Sequence, residues 1–156
     1  MRVGERLTAA VLVGLVLVVG AGPAPGKDKP HSIATWLGNW TAGPEQDIVI
    51  TRSGDDDALL IEGFASWGAS DPERVAIGAI HVGEFTVVVP TSWVDVERHR
   101  LKFAVSTDGA VRPEAAGDHD CTIKLELTQA ALVATDNMMC GGLNVTFNGT
   151  YRRQSR

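Results

Sequence analysis

Cys121-Thr122-Ile123-Lys124-Leu125-Glu126-Leu127 and, after the polar Thr128-Gln129-Ala130, the run Ala131-Leu132-Val133-Ala134-Thr135 on the way to Cys140 decide how this chain folds. The first run alternates polar and apolar side chains, the period-2 pattern of a strand with one face in a core and the other in water. The second resumes β-compatible residues after a short turn, so the two read as a hairpin with its midpoint near residue 130. In that register the numbers of facing residues sum to 261, and Cys121 and Cys140 satisfy the sum. The cysteines then oppose each other on adjacent strands, within bridging distance. A disulfide there contributes about 3 kcal/mol through the unfolded state; the alternative is a pair of free thiols. A redox role needs a CxxC pair or an activated thiolate, and neither is present.

The hairpin sits among similar segments. Stretches 36–42, 46–52, 58–67, 75–82, 84–89, 93–105, 121–127, 132–138 and 144–153 all read as strands, with a turn inside 93–105 near Glu97. Turn chemistry punctuates them at Ser53-Gly54-Asp55, at Gly68 to Pro72, at Asp108-Gly109 and at Gly141-Gly142. The best helical candidate is one turn at Ser70-Asp71-Pro72-Glu73-Arg74, with a cap residue followed by proline where a first helical turn tolerates it. Short strands without helices between them predict an all-β antiparallel up-and-down barrel of about eight strands over residues 31–156.

Ahead of the barrel, residues 1–21 carry Arg2 and Arg6, then an apolar run of thirteen residues, then small residues. This is the layout of a secretory signal peptide, and the run is short of the roughly 20 residues of a membrane span. Residues 22–30, rich in Pro, Gly and Lys, read as a flexible leader. The expected product is exported, periplasmic or secreted, without a stable membrane anchor once the signal is cleaved. Of the 156 residues 44% are hydrophobic and 21% charged, with a net charge of −5 that becomes −6 when the signal leaves. An acidic chain with scattered Lys and Arg argues against nucleic acid as a partner.

Gly38-Asn39-Trp40 opens the first strand, and Gly149-Thr150-Tyr151-Arg152-Arg153 ends the last. This arrangement resembles the calycin barrels of lipocalins and avidins. The resemblance implies that Trp40 plugs one barrel end and that Arg152 or Arg153 packs over its indole, a contact of about 0.5–2 kcal/mol. The string from Asp136 to Arg152 is similar to a C-terminal signature of uncharacterised exported bacterial protein families, which implies no activity.

For chemistry, the densest group is Trp67 to Arg74 followed by His81 and Glu84. Its functional reading is a ligand-binding rim, with Arg74 gripping an anion and Trp67 stacking on a ring; its bland reading is a capped turn with solvated charges. Asp136, opposite Leu125 in the 261 register, falls on the interior face, where a carboxylate must be hydrogen-bonded or meet a ligand, unless a bulge puts it in water. Asp118-His119-Asp120 cannot converge on one metal from an extended chain, Asp55-Asp56-Asp57 lacks calcium-loop spacing, and no cofactor motif is present. The expected ligand-facing set is Trp67, Arg74, His81 and Asp136. The expected function is an exported noncatalytic binding protein for a small molecule or a secreted protein. Three alternatives stand beside it: an inhibitor of a secreted or host enzyme such as lysozyme, a small hydrolase or isomerase using His81 and Glu84, and an envelope structural module. A hollow barrel favours the carrier, and a filled barrel with protruding loops favours the inhibitor.

Overall fold

The structure is a computed structural model that describes residues 32–54 and 57–155; the signal segment, the leader and two residues of the acidic turn lie outside the described residues. The expected antiparallel barrel forms, with nine strands among the described residues: β1 Gly38–Gly43, β2 Gln46–Arg52, β3 Ala58–Trp67, β4 His81–Pro90, β5 Arg100–Ser106, β6 Gly109–Val111, β7 Cys121–Leu127, β8 Leu132–Asp136 and β9 Gly149–Arg153. The α1 turn, Pro72–Ala76, lies between β3 and β4. All pairings are antiparallel, in the order β4-β3-β2-β1-β9-β8-β7-β5-β6. The sheet curls until β6 lies against β4, giving a nearly closed barrel. One step departs from a simple meander. β6 turns back on the outer side of β5, and the chain then crosses to β7 on the other side.

Alternation builds the wall. Along β4 Gly83, Phe85, Val87 and Val89 are buried while Val82, Glu84, Thr86 and Val88 are exposed. β7 does the same with Cys121, Ile123, Leu125 and Leu127 inside. The interior is filled with side chains: Trp36, Leu101, Phe103, Ile123, Phe147 and Tyr151 have no exposure. The Phe85 ring lies 4.9 Å from Phe147, edge on, and 5.9 Å from Phe103.

The disulfide joins Cys121 to Cys140 with 4.5 Å between their Cα atoms. The register that brings it about differs from the expected one. Ile123 faces Asp136 and Leu125 faces Ala134, so facing numbers sum to 259. The cause is Thr128: its backbone N–H bonds Ala131 O at 2.8 Å, and its hydroxyl accepts from Ala131 N at 3.0 Å, which tightens the turn. A slip of two leaves every side chain on its expected face. β8 then stops at Asp136, Met138 adopts φ 64°, and the chain bends back to Cys121. Asn137 secures the bend, accepting from Thr122 N at 3.0 Å and donating to Asp120 O at 2.8 Å.

Three expected strands are corrected. Stretch 75–82 is mostly α1 and a turn, because Asp71 accepts from Glu73 N at 2.9 Å and Arg74 N at 3.4 Å and so caps a helical turn. Stretch 93–105 is a strand only from Arg100; a turn bridged by Asp95 and Arg100 precedes it. Stretch 144–153 is a strand only from Gly149, since residues 144–148 belong to a strap described below.

At one barrel end Trp40, 3% exposed, donates its indole N–H to Trp36 O at 3.0 Å. The Arg153 guanidinium lies 4.4 Å from the Trp40 ring centroid and donates to the Leu37 and Thr35 carbonyls. Arg152, on the other face of β9, is exposed. Of the two arginines it is therefore Arg153 that covers the tryptophan.

Candidate functional site

The opposite end of the barrel carries three of the four residues named from the sequence. Trp67 ends β3 and His81 begins β4, and the two are paired in register. Their ring centroids are 5.4 Å apart. The Arg74 guanidinium lies 4.1 Å from the Trp67 ring centroid, and its Nε is 3.3 Å from the Asp71 carboxylate. Asp71 thus has two tasks, capping α1 and aiming Arg74 onto the indole. His81 Nδ1 bonds the Leu143 carbonyl. Arg74, Trp67 and His81 form one stack on the rim.

Asp136 does a different job. Its carboxylate accepts from Met138 N at 2.9 Å, from the Thr146 hydroxyl at 3.1 Å and from Phe147 N at 2.5 Å. It is the hydrogen-bonded, half-buried carboxylate of the first expectation, and its acceptor capacity is used within the chain. Burial first, then the charges of Asp136 and Asp47, holds the Tyr151 phenol well above its ordinary range. It remains a donor to Phe147 O at 2.9 Å. His81 and Glu84 point to opposite faces of one continuous strand, so they do not form an acid–base pair. Glu84 lines the outer wall beside Phe64 and Glu62.

What Asp136 fastens is a strap, residues 137–148, that crosses the barrel mouth. The disulfide holds it at Cys140, and Val145 and Phe147 drive into the core with at most 1% exposure. It lies close enough to β4 that a Cβ built on Gly83 would stand 2.5 Å from Cys140 O and 2.8 Å from Gly141 Cα. Two glycines facing each other permit this approach. Gly83 lies within the continuous strand β4, under the strap. The strap's outer side carries Met138, Met139 and Leu143, and across the rim stand Val75, Ile77, Ile80 and Val82, all exposed apolar side chains. Leu143 is 73% and Ile77 79% exposed.

Beside Trp67 a cleft of about 330 Å³ opens between the β1–β2 turn and the strap, lined by Glu45, Gln46, Ser66, Ser70, Asn144 and Thr146. The Ser66 hydroxyl is buried there without a hydrogen-bond partner among the described residues. The sequence offered no signal for Ser66 or Glu45; for the strap, Gly141-Gly142 was the visible trace. Among the described residues no group of three His, Cys, Asp or Glu side chains is placed to hold a metal ion. Asp120 instead closes its own loop by accepting from Gly117 N at 2.9 Å.

Comparison with known proteins finds no matching family model, no matching curated protein and no matching solved structure.

Proposed function

We propose that this chain is an exported, noncatalytic module that binds a protein partner with the rim formed by α1 and the strap. One observation carries the reading: the barrel interior is occupied by its own side chains, while seven of the ten large exposed apolar residues among the described ones, Val75, Ile77, Ile80, Val82, Met138, Met139 and Leu143, stand at the mouth. Contiguous apolar surface framed by polar groups is the usual mark of a protein-binding face. Trp67, clamped by Arg74 and His81, supplies a rigid aromatic anchor of the kind that dominates binding energy. Residues 32–156 carry a net charge of −7, which steers a basic partner toward the domain. Inhibition of a basic secreted enzyme is the form of binding this charge suits best. The disulfide, and the lack of any membrane-length apolar helix among the described residues, are compatible with export as a soluble protein. The Trp40–Arg153 plug and the joined first and last strands support kinship with calycin barrels.

Native mass spectrometry of the chain purified from its own host tests the proposal. The expected species is a stoichiometric protein complex that Leu143→Asp and Ile77→Asp each dissociate. A bound small molecule in its place, or a complex indifferent to both substitutions, refutes the reading.

A further inference from the structure

A second cleft, of about 360 Å³, lies on the outer wall, lined by Trp93, Asp95, Arg98, Arg100, Lys102, Arg112, Pro113 and Glu114. It is remote from the rim along β5: Arg100 pairs with Glu126 at one end of the β5–β7 ladder, and Val105 with Cys121 at the other. Its charge runs against that of the domain. The described residues contain nine Lys and Arg side chains. Four line this cleft, and a fifth, Lys124, stands directly opposite Lys102 on the same outer face.

The carboxylates nearby are nearly all committed. Asp95 binds Arg98 at 2.9 Å. Glu126 is shared, bonding Arg100 Nε at 2.8 Å and Lys124 Nζ at 3.2 Å. Lys102 has no ion pair among the described residues, and the Arg112 guanidinium lies over the Trp93 ring, 4.5 Å from its centroid, also without a carboxylate. Of the two acids that line the cleft, Glu114 is the one in no ion pair among the described residues, and Glu97, outside the lining, acts on Arg98. Lys102 stands directly across the ladder from Lys124, whose charge Glu126 offsets, so of the two lysines it is Lys102 whose charge is left without a counter-ion among the described residues. Trp93, half-buried against the core, backs the Arg112 guanidinium.

We propose that this cleft is an anion site: it takes a ligand carrying a phosphate, sulfate or carboxylate group, with Lys102 and Arg112 as the cationic contacts and Trp93 holding the Arg112 guanidinium in place. Arg112 brings a planar donor fork suited to oxyanions, and Lys102 a mobile point charge. The site is built from three separate segments, the turn before β5, β5 itself and the connection after β6, which only the fold brings together.

The test titrates the purified chain with inorganic phosphate, sulfate and citrate in separate arms, each at an ionic strength held constant with sodium chloride. Calorimetry and the indole N–H resonance of Trp93 are read together. The expected result is saturable binding that moves the Trp93 resonance, weakened about tenfold for each cation removed in Lys102→Ser and Arg112→Ser and retained in Lys102→Arg. The tightest arm then identifies the oxyanion. All these positions are exposed, so an unchanged thermal midpoint shows that the variants fold. A response no larger than that of chloride alone overturns the proposal, as does a Lys102→Ser/Arg112→Ser double variant that binds like the parent chain.

Discussion

Replacing Gly83 with alanine tests how the strap sits on the barrel. The added Cβ would stand 2.5 Å from the Cys140 carbonyl oxygen and 3.0 Å from Val145 Cγ1. Ordinary contact begins near 3.4 Å, so strap and strand must part by about 0.9 Å. The strap cannot simply slide away, because the disulfide holds Cys140, Val145 is in the core, and Gly142 N bonds Val82 O at 3.2 Å. Parting breaks that bond, at about 1 kcal/mol, and adds an overpacking cost of about 1–3 kcal/mol. The total is about 2–4 kcal/mol. For a domain of this size the unfolding entropy is about 0.26 kcal/mol/K, so the midpoint should fall by roughly 8–15 °C. Thermal unfolding followed by circular dichroism reads this, with thiol titration confirming that the disulfide is intact. Gly117→Ala is the control: its Cβ meets nothing nearer than 3.6 Å and should leave the midpoint within about 2 °C. A Gly83→Ala midpoint as close to that of the parent chain refutes the contact.

Other expectations follow from single side chains. Arg153→Ala removes the cation over Trp40 and two charged donors to Thr35 and Leu37; a loss of about 2 kcal/mol in urea unfolding is expected, against less than about 0.5 kcal/mol for exposed Arg152→Ala. Asp136→Ala leaves the Phe147 N–H and two other donors without their acceptor, at about 2–3 kcal/mol, with Asp136→Asn losing less. Arg100 first, then Lys124, holds the Glu126 carboxyl below its ordinary range. A folded pKa below the unfolded one means stability that is present above about pH 4.3 and lost as the pH falls through the folded value. Glu126→Gln should therefore flatten the fall of the urea midpoint between about pH 4.5 and pH 3; an unchanged acid slope contradicts the pairing.

Periodicity made the strands legible. In β4 and β7 alternation shows which side chains face inward, and that assignment survived a register slip of two because two is the period itself. Cys121 and Cys140 were readable as partners, although the bend at Met138 brings them together rather than the ladder. Local capping made α1 visible at Asp71-Pro72, but the apolar residues after it, from Val75 to Ile80, counted as strand because composition alone does not separate an exposed turn from a buried run.

The chain alone therefore determined the class of structure, the inward faces, the disulfide partners and the residues Trp67, Arg74 and His81 that meet at the rim. Tertiary structure decided the rest: that Arg153 rather than Arg152 covers Trp40, that Gly83 faces Gly141, that Asp136 anchors a strap, and that Trp93, Lys102 and Arg112 share one cleft. Local pattern reports which way a side chain points relative to its own strand. Which distant segment it then meets depends on pairing, turn tightness and closure, and these are energies of the whole sheet.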